Sequence, residues 1–191
     1  EKRITIKFRN NEKGDIKTAF ISPDASIHGI TVLDGGKFEN IYVDVVFPVL
    51  HGKNGEDGTI QGIFEMARIP FVGCDHISSA NCMDKTYTHM ILDHGGIKTS
   101  PYIVGRSCEN YDDTAKKVEE AFGYPCFVKP ANAGSSVGVS KAKDKEQLAK
   151  ALESAYIHDK KVVIEKAIVG QEIECAVLGN DEPICSEPGE I

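Results

Sequence analysis

From about residue 43 onward the chain alternates between unbroken apolar runs and stretches in which apolar side chains return every three or four positions. Val43-Asp44-Val45-Val46-Phe47-Pro48-Val49-Leu50 is apolar but for one acid, the pattern of a parallel strand buried on both faces. It delivers His51-Gly52 to a loop at its C-terminal end, where open α/β sheets bind ligands. Ile60, Ile63, Phe64 and Ala67 follow at helical spacing, and Ile69-Pro70-Phe71-Val72-Gly73 reads as the next strand, completing a strand, helix, strand unit. Ser78 or Ser79 is placed to cap a second helix whose apolar stripe is Met83, Tyr87, Met90 and Ile91; Lys85 lies inside it and Gly95-Gly96 stops it. Phe64, Tyr87 and Met90 are assigned to the core.

A third helix is expected from a cap at Asp112 to Gly123, and a fourth from Asp144 through Leu148, Leu152 and Tyr156. Between them stand two β-like stretches, residues 125–129 and 137–141, joined by the small, hydroxyl-rich loop Pro130-Ala131-Asn132-Ala133-Gly134-Ser135-Ser136. Residues 162–166 and 172–178 read as two more strands. Before residue 43 only short β-rich runs occur, at 4–8 and 18–21, broken by Asn10-Asn11 and Asp34-Gly35-Gly36. No internal repeat or low-complexity tract is visible.

Composition narrows the function classes. At 191 residues there is room for two lobes or one large α/β domain, and 41% apolar with 27% charged residues is ordinary for a folded soluble protein. A net charge of −7 with scattered acids offers no basic face to a phosphate backbone, so nucleic acid is not an expected partner. No apolar run approaches the roughly 20 residues that cross a bilayer, and Glu1-Lys2-Arg3-Ile4 lacks a signal peptide's apolar stretch, so a cytoplasmic protein without membrane contact is expected. The six cysteines form no C-x-x-C pair and have no His at zinc-like spacing, which predicts reduced, mostly buried thiols. A start without Met and an end at Pro188-Gly189-Glu190-Ile191 suggest a piece trimmed at both ends.

Candidate chemistry is concentrated in Val128-Lys129-Pro130-Ala131-Asn132-Ala133-Gly134-Ser135-Ser136-Val137-Gly138. A strand sets one cation beside a loop whose small residues let backbone N–H groups close on an anion, as a triphosphate requires. It is not the P-loop, because the lysine precedes the loop. On residues alone, a plain hairpin with a flexible tip fits equally well. His51, followed by Gly52, Gly55 and Gly58, can approach a small ligand closely or merely cap a turn. Glu56 and Asp57 read as caps of the next helix, Glu165 alone as an exposed strand-end acid, and His28, His76, His89, His94 and His158 receive no partner.

The succession of this Lys-Pro strand, Gly-Ser-Ser loop, helix, Val163-Ile164-Glu165-Lys166 and Gly170-Gln171-Glu172 resembles the ATP-grasp fold, in which two lobes clamp ATP. Phe47-Pro48-Val49-Leu50-His51-Gly52-Lys53-Asn54-Gly55-Glu56-Asp57-Gly58-Thr59-Ile60-Gln61-Gly62 is similar to the H-G-x-x-G-E-D-G-x-x-Q-G signature of D-alanine–D-alanine ligases. Ser79-Ala80-Asn81-Cys82-Met83-Asp84-Lys85 resembles their S-A-x-x-M-D-K. The likeness is dense from about Val43 to Leu178 and weak before. Vancomycin-resistance ligases that make D-alanyl-D-serine or D-alanyl-D-lactate share these motifs, which leaves the product open.

What the resemblance implies is an α/β (α+β) ATP-grasp chain: part of an N-terminal open α/β substrate-binding domain at 1–76, the central ATP-grasp subdomain at 77–164, and the start of the C-terminal subdomain at 165–191. It puts Lys85 and Lys129 on the phosphates of ATP and Ser135 and Ser136 on the loop closing over them. Glu165, Lys166, Ala167 and Ile168 become the hinge that holds adenine, and Glu172 the acceptor of the ribose hydroxyls. His51 and Ser135 fall at the catalytic centre, with His51 orienting the first D-alanine. ATP would phosphorylate that carboxylate, and the amine of a second substrate would displace phosphate. No metal ligand is assigned within the chain; those for Mg²⁺ are expected beyond Ile191, so this piece alone should be a poor catalyst, and the full-length protein is expected to form a homodimer. The rival readings are another ATP-grasp carboxylate–amine ligase and a nucleotide-binding piece without turnover.

Overall fold

Around a four-stranded antiparallel sheet the computed structural model, which describes residues 17–191, gathers most of its buried side chains. The sheet is ordered β4 (Tyr102–Arg106), β7 (Lys161–Lys166), β5 (Cys126–Pro130), β6 (Ser140–Ala142). Two helices, α4 (Tyr111–Ala121) and α5 (Lys145–Tyr156), cover it, and Val118, Leu148, Leu152 and Ala155 pack against Cys126, Val128, Val162 and Ile164. Because side chains alternate along a strand, Val128 and Ile164 face these helices while Lys129 and Glu165 point to the opposite side of the sheet.

Toward that opposite side lie three shorter helices, α1 (Thr59–Met66), α2 (His76–Met83) and α3 (Lys85–His94), with α3 against β7. A three-stranded antiparallel sheet precedes them: β1 (Thr18–Ile21), β2 (Gly29–Asp34) and β3 (Lys37–Tyr42), the last two joined through Gly35-Gly36. After β7 the chain makes two small antiparallel pairs, β8 (Ile173–Glu174) with β11 (Gly189–Glu190) and β9 (Val177–Leu178) with β10 (Ile184–Cys185).

The helix periodicities at 60–67 and 144–156 hold, with Ile60, Phe64 and Ala67 buried and Asp144 accepting from the Gln147 amide as the cap of α5. Several other expectations need correction. The expected strand at 4–8 lies outside the described residues. Residues 43–50 form no strand: Val46 makes one parallel bridge to Phe71, and Phe47 and Val49 stay 73% and 70% exposed. Apolar composition favours burial, but no described element covers this run. The single helix expected across 78–94 is two, because Asp84 adopts an extended conformation (φ −83°, ψ 102°) to cap α3 with its carboxylate, a geometry that breaks the helix before it. Asp75, not a serine, caps α2, and Asn110, not Asp112, caps α4. Tyr87 and Met90 are half exposed rather than core. Of the cysteines only Cys126 is buried, which pushes its thiol up to about 11; Cys74, Cys82, Cys108, Cys175 and Cys185 are free and exposed. The stretch 172–178 is split into β8 and β9, and β6 starts at Ser140, three residues later than the pattern suggests.

Candidate functional site

Two ammonium groups meet the base of the Gly-Ser-Ser loop from different elements. Lys129 arrives on β5, one residue before the strand ends. Lys85 is the first residue of α3, fixed there because Asp84 caps the helix. Its Nζ donates to the carbonyls of Ala133 (2.6 Å) and Pro130 (3.3 Å), and its amide donates to the Ala131 carbonyl (3.1 Å), so one lysine ties α3 to the loop at three points. Burial pushes the Lys85 ammonium below the usual lysine range, and repulsion from Lys129 adds to this. An anion approaching both lysines would relieve that repulsion.

The loop itself is shaped for close approach. Ser135 and Ser136 are both left-handed (φ 49° and 57°), a conformation that costs a non-glycine residue roughly 1–2 kcal/mol, and both are exposed. Gly138 also has positive φ, and a Cβ there would lie 2.6 Å from His158 Cδ2 and 2.8 Å from Pro130 Cγ, so only glycine fits. At Gly134 a Cβ would come within 3.7 Å of both Gly52 Cα and Glu56 Oε2, which brings the loop against the His51-Gly52 segment.

His51 is exposed at the start of that segment. Glu56 and Asp57 do not cap α1; its N-cap is Gly58, which makes no side-chain cap bond. Instead the Glu56 carboxylate accepts from the Gly52 amide, and Asp57 accepts from the amides of Asn54 (2.8 Å) and Thr59 (3.1 Å). Both acids hold the loop's shape. Gly58 has φ 85° and a Cβ would meet the His76 carbonyl oxygen at 2.3 Å, so this position admits no side chain.

Glu165 is not an exposed strand-end acid: its carboxylate is 13% exposed, and Oε2 accepts from Lys129 Nζ at 2.6 Å while Oε1 lies 3.2 Å from His89 Nε2. Lys166 and Ala167 continue from it, their backbone amides donating hydrogen bonds to the carbonyls of Pro101 (2.8 Å) and Pro125 (3.0 Å). Ile168 and Glu172 are exposed, and the Glu172 carbonyl accepts from the Ile191 amide. The structure therefore brings together Lys85, Lys129, Glu165 and the root of the Ser135-Ser136 loop, and sets the His51 loop beside Gly134.

Sequence reasoning missed a second polar group on the loop's other flank. Asp84 Oδ2 accepts from Lys161 Nζ and from Asn132 Nδ2 (3.1 Å), and Lys161 Nζ stands 4.3 Å above the Tyr87 ring centre. Asp159 accepts from the Asn132 amide (2.8 Å) and the Ala131 amide donates to the Lys161 carbonyl (2.9 Å), so residues 131 and 132 are clamped while Ser135 and Ser136 stand exposed beyond them. Burial opposes ionisation of Asp84, but hydrogen bonds from Lys161 and Asn132 outweigh it and hold its carboxyl below the ordinary range. Asp84, Tyr87, Asn132 and Asp159 line a cleft of about 460 Å³ shared with Lys53 and Asp57. The S-A-x-x-M-D-K stretch was visible in sequence; that its aspartate reaches residues 132 and 161 was not. Among the other histidines, for which the sequence pattern names no partner, His76 pairs with Glu65, His28 stacks on Tyr42 and His89 binds Glu165.

Family profiles described as D-ala D-ala ligase N-terminus and D-ala D-ala ligase C-terminus match residues 4–74 and 91–191. The chain belongs to the D-alanine–D-alanine ligase family. It is 50% identical over 175 residues to the D-alanine–D-alanine ligase of Caldicellulosiruptor bescii, covering 90% of this chain and 48% of that protein. To the vancomycin/teicoplanin A-type resistance protein VanA of Enterococcus faecium it is 48% identical over 169 residues, covering 88% of this chain and 48% of VanA. The crystal structure of the VanG D-Ala:D-Ser ligase from Enterococcus faecalis superposes with a TM-score of 0.85 at 43% identity, over 94% of this chain and 51% of that one. The ATP-grasp, mixed α and β fold expected from the motifs is thus the fold observed. The chain spans about half the length of the curated relatives it matches.

Proposed function

We propose that this chain is the part of an ATP-dependent D-amino-acid ligase that holds the nucleotide phosphates and presents the first substrate. ATP phosphorylates the carboxylate of D-alanine, and a second substrate, D-alanine, D-serine or D-lactate, attacks the acyl phosphate and expels phosphate. The dipeptide or depsipeptide enters peptidoglycan precursor synthesis in the cytoplasm. The observation that carries this reading is the convergence of Lys85 and Lys129 at the root of a strained Gly-Ser-Ser loop whose Gly134 abuts the His51-Gly52 segment. In it, Lys85 and Lys129 hold phosphates, Ser135 and Ser136 close over them, and His51 and Ser135 face the reacting carboxylate. Residues 165–168 hold adenine and Glu172 the ribose.

Positioning and charge neutralisation supply most of the acceleration in such phosphoryl transfers, and the chain offers cations and backbone donors rather than a nucleophile. Magnesium belongs to the proposed chemistry, where it would neutralise phosphate charge. Among the described residues no three acidic, His or Cys side chains form a metal-binding group, and no step is routed through the ion. Among the described residues no helix is long and apolar enough to cross a membrane. We further propose the division into substrate-binding residues 1–76, central subdomain 77–164 and a C-terminal subdomain from 165, and a homodimer.

Calorimetry with ATP and Mg²⁺, beside phosphate release with D-alanine, tests the reading. Lys129→Ala should weaken ATP binding by about 1.5–3 kcal/mol with the fold intact, the worth of a hydrogen bond to a charged group. Unchanged affinity in a folded variant would sink it.

A further inference from the structure

We propose that His89 is a positioning residue for Lys129, acting through Glu165, an inference that rests on the phosphate-binding reading of Lys129. The Glu165 carboxylate is divided between two partners: Oε2 takes the Lys129 ammonium at 2.6 Å and Oε1 faces His89 Nε2 at 3.2 Å. Imidazole and carboxylate are almost closed off, at 12% and 13% exposure. A carboxylate only accepts, so Nε2 carries the ring hydrogen. The other ring nitrogen, Nδ1, is buried with no hydrogen-bond partner among the described residues. All of the polar bonding of His89 is therefore spent on Glu165.

Packing fixes the ring in that pose. His89 stacks on Tyr102, with ring centres 4.1 Å apart and planes 23° from parallel, and Tyr102 is the cross-strand neighbour of Glu165 in the β4–β7 register. The charged groups around the imidazole are Glu165 on β7, Lys129 on β5, and Lys85 and Asp93 on its own helix; Asp93 also acts on the Tyr102 phenol, which burial first and this carboxylate second push upward. Without the Nε2 donor, Oε1 would be buried and unpaired, and the carboxylate would be free to rotate toward Lys85, the other ammonium it influences. The histidine thus keeps Glu165 on Lys129 and Lys129 aimed from the end of its strand toward the loop. His89 does not itself touch the loop or the ligand in this account.

Two variants of the protein separate the donor from the packing. His89→Phe keeps a ring on Tyr102 but removes the donor; His89→Gln returns an N–H donor without the ring. By calorimetry with ATP and Mg²⁺, His89→Phe should lose about tenfold in affinity, the worth of one hydrogen bond to a charged group, and His89→Gln should stay within about twofold of the parent. In a Lys129→Ala background His89→Phe should cost nothing further, because the lysine it aims is gone. Nitrogen-15 spectra of the ring should show the Nε2–H tautomer and lose their coupling to Glu165 in Glu165→Gln. Parent-like affinity in His89→Phe, equal loss in both variants, or the same tenfold loss without Lys129 would each overturn the proposal. A parent that binds no ATP would instead remove the nucleotide reading; the ring spectrum needs no nucleotide, and an Nδ1–H tautomer there would refute the positioning role on its own.

Discussion

Residues 43–50 are the more apolar of two segments, with one acid where residues 161–166 carry two lysines and a glutamate, yet Val162, Val163 and Ile164 are fully buried while Phe47 and Val49 stand largely in solvent. Both segments favour extended backbone. The difference lies in cover: β7 is paired on both edges by β4 and β5, with α5 on one face and α3 against the other, whereas among the described residues 43–50 has a single bridge, to Phe71. Apolar composition states what a segment gains from burial, roughly 25 cal/mol per Å², but another layer must be there to supply it. The same contrast separates the two lysine-bearing flanks of the loop from its tip, since 131 and 132 are clamped by Asp84, Lys161 and Asp159 while Ser135 and Ser136 are exposed.

The sharpest way to break the contrast is at Asp84. Asp84→Ala removes a helix cap and leaves the partly buried Lys161 without its carboxylate partner, so chemical denaturation should show a loss of about 3 kcal/mol. Leu152→Ala, in the layer covering β5 and β7, should cost about 2–5 kcal/mol through the cavity it leaves. A loss below about 1 kcal/mol would mean that α5 is not the cover described. Acid titration adds a signed test. The Asp84 carboxyl is held below its ordinary 3.8, so its stabilising contribution is complete above that value and fades as pH falls through the lowered one. Stability of the parent should drop more steeply below pH 3.8 than that of Asp84→Asn; parallel curves would dissociate Asp84 from the network. Smaller still is the hydrogen-exchange contrast within the loop, where the amides of Ala131 and Asn132, bonded to Lys161 and Asp159, should exchange more slowly than those of Ser135 and Ser136. At the bottom of the scale, Val49→Ser should change stability by no more than about 0.5 kcal/mol, as at other exposed positions.

Much of the site could be read before any coordinates. Lys129 at a strand end before Gly134-Ser135-Ser136 is a local arrangement, carried by adjacent residues, and β5 and the loop appear where the pattern puts them. The cap at Asp84 is legible too, since Asp84-Lys85-Thr86 has an acid ahead of a helical stripe, but Ser78 and Ser79 upstream are cap-type residues as well and compete with it in the pattern. His89 and Lys161 gave no such signal. Their partners, Glu165 and Asp84, are 76 and 77 positions away, and no local periodicity encodes a pairing at that range.

By itself the sequence determined the helical faces at 60–67 and 145–156, the glycine-serine loop with its lysine, and the family, because each is written in neighbouring residues or in motifs of fixed spacing. Tertiary structure alone decided which apolar runs are buried, that Asp84 serves two helices' junction and a partly buried lysine at once, and that Glu165 divides its two oxygens between Lys129 and His89. Those outcomes depend on which faces of distant strands and helices are brought together, and on the desolvation that follows, so a carboxylate that looks like a solvated strand end in sequence becomes, once enclosed, a group that must find two partners.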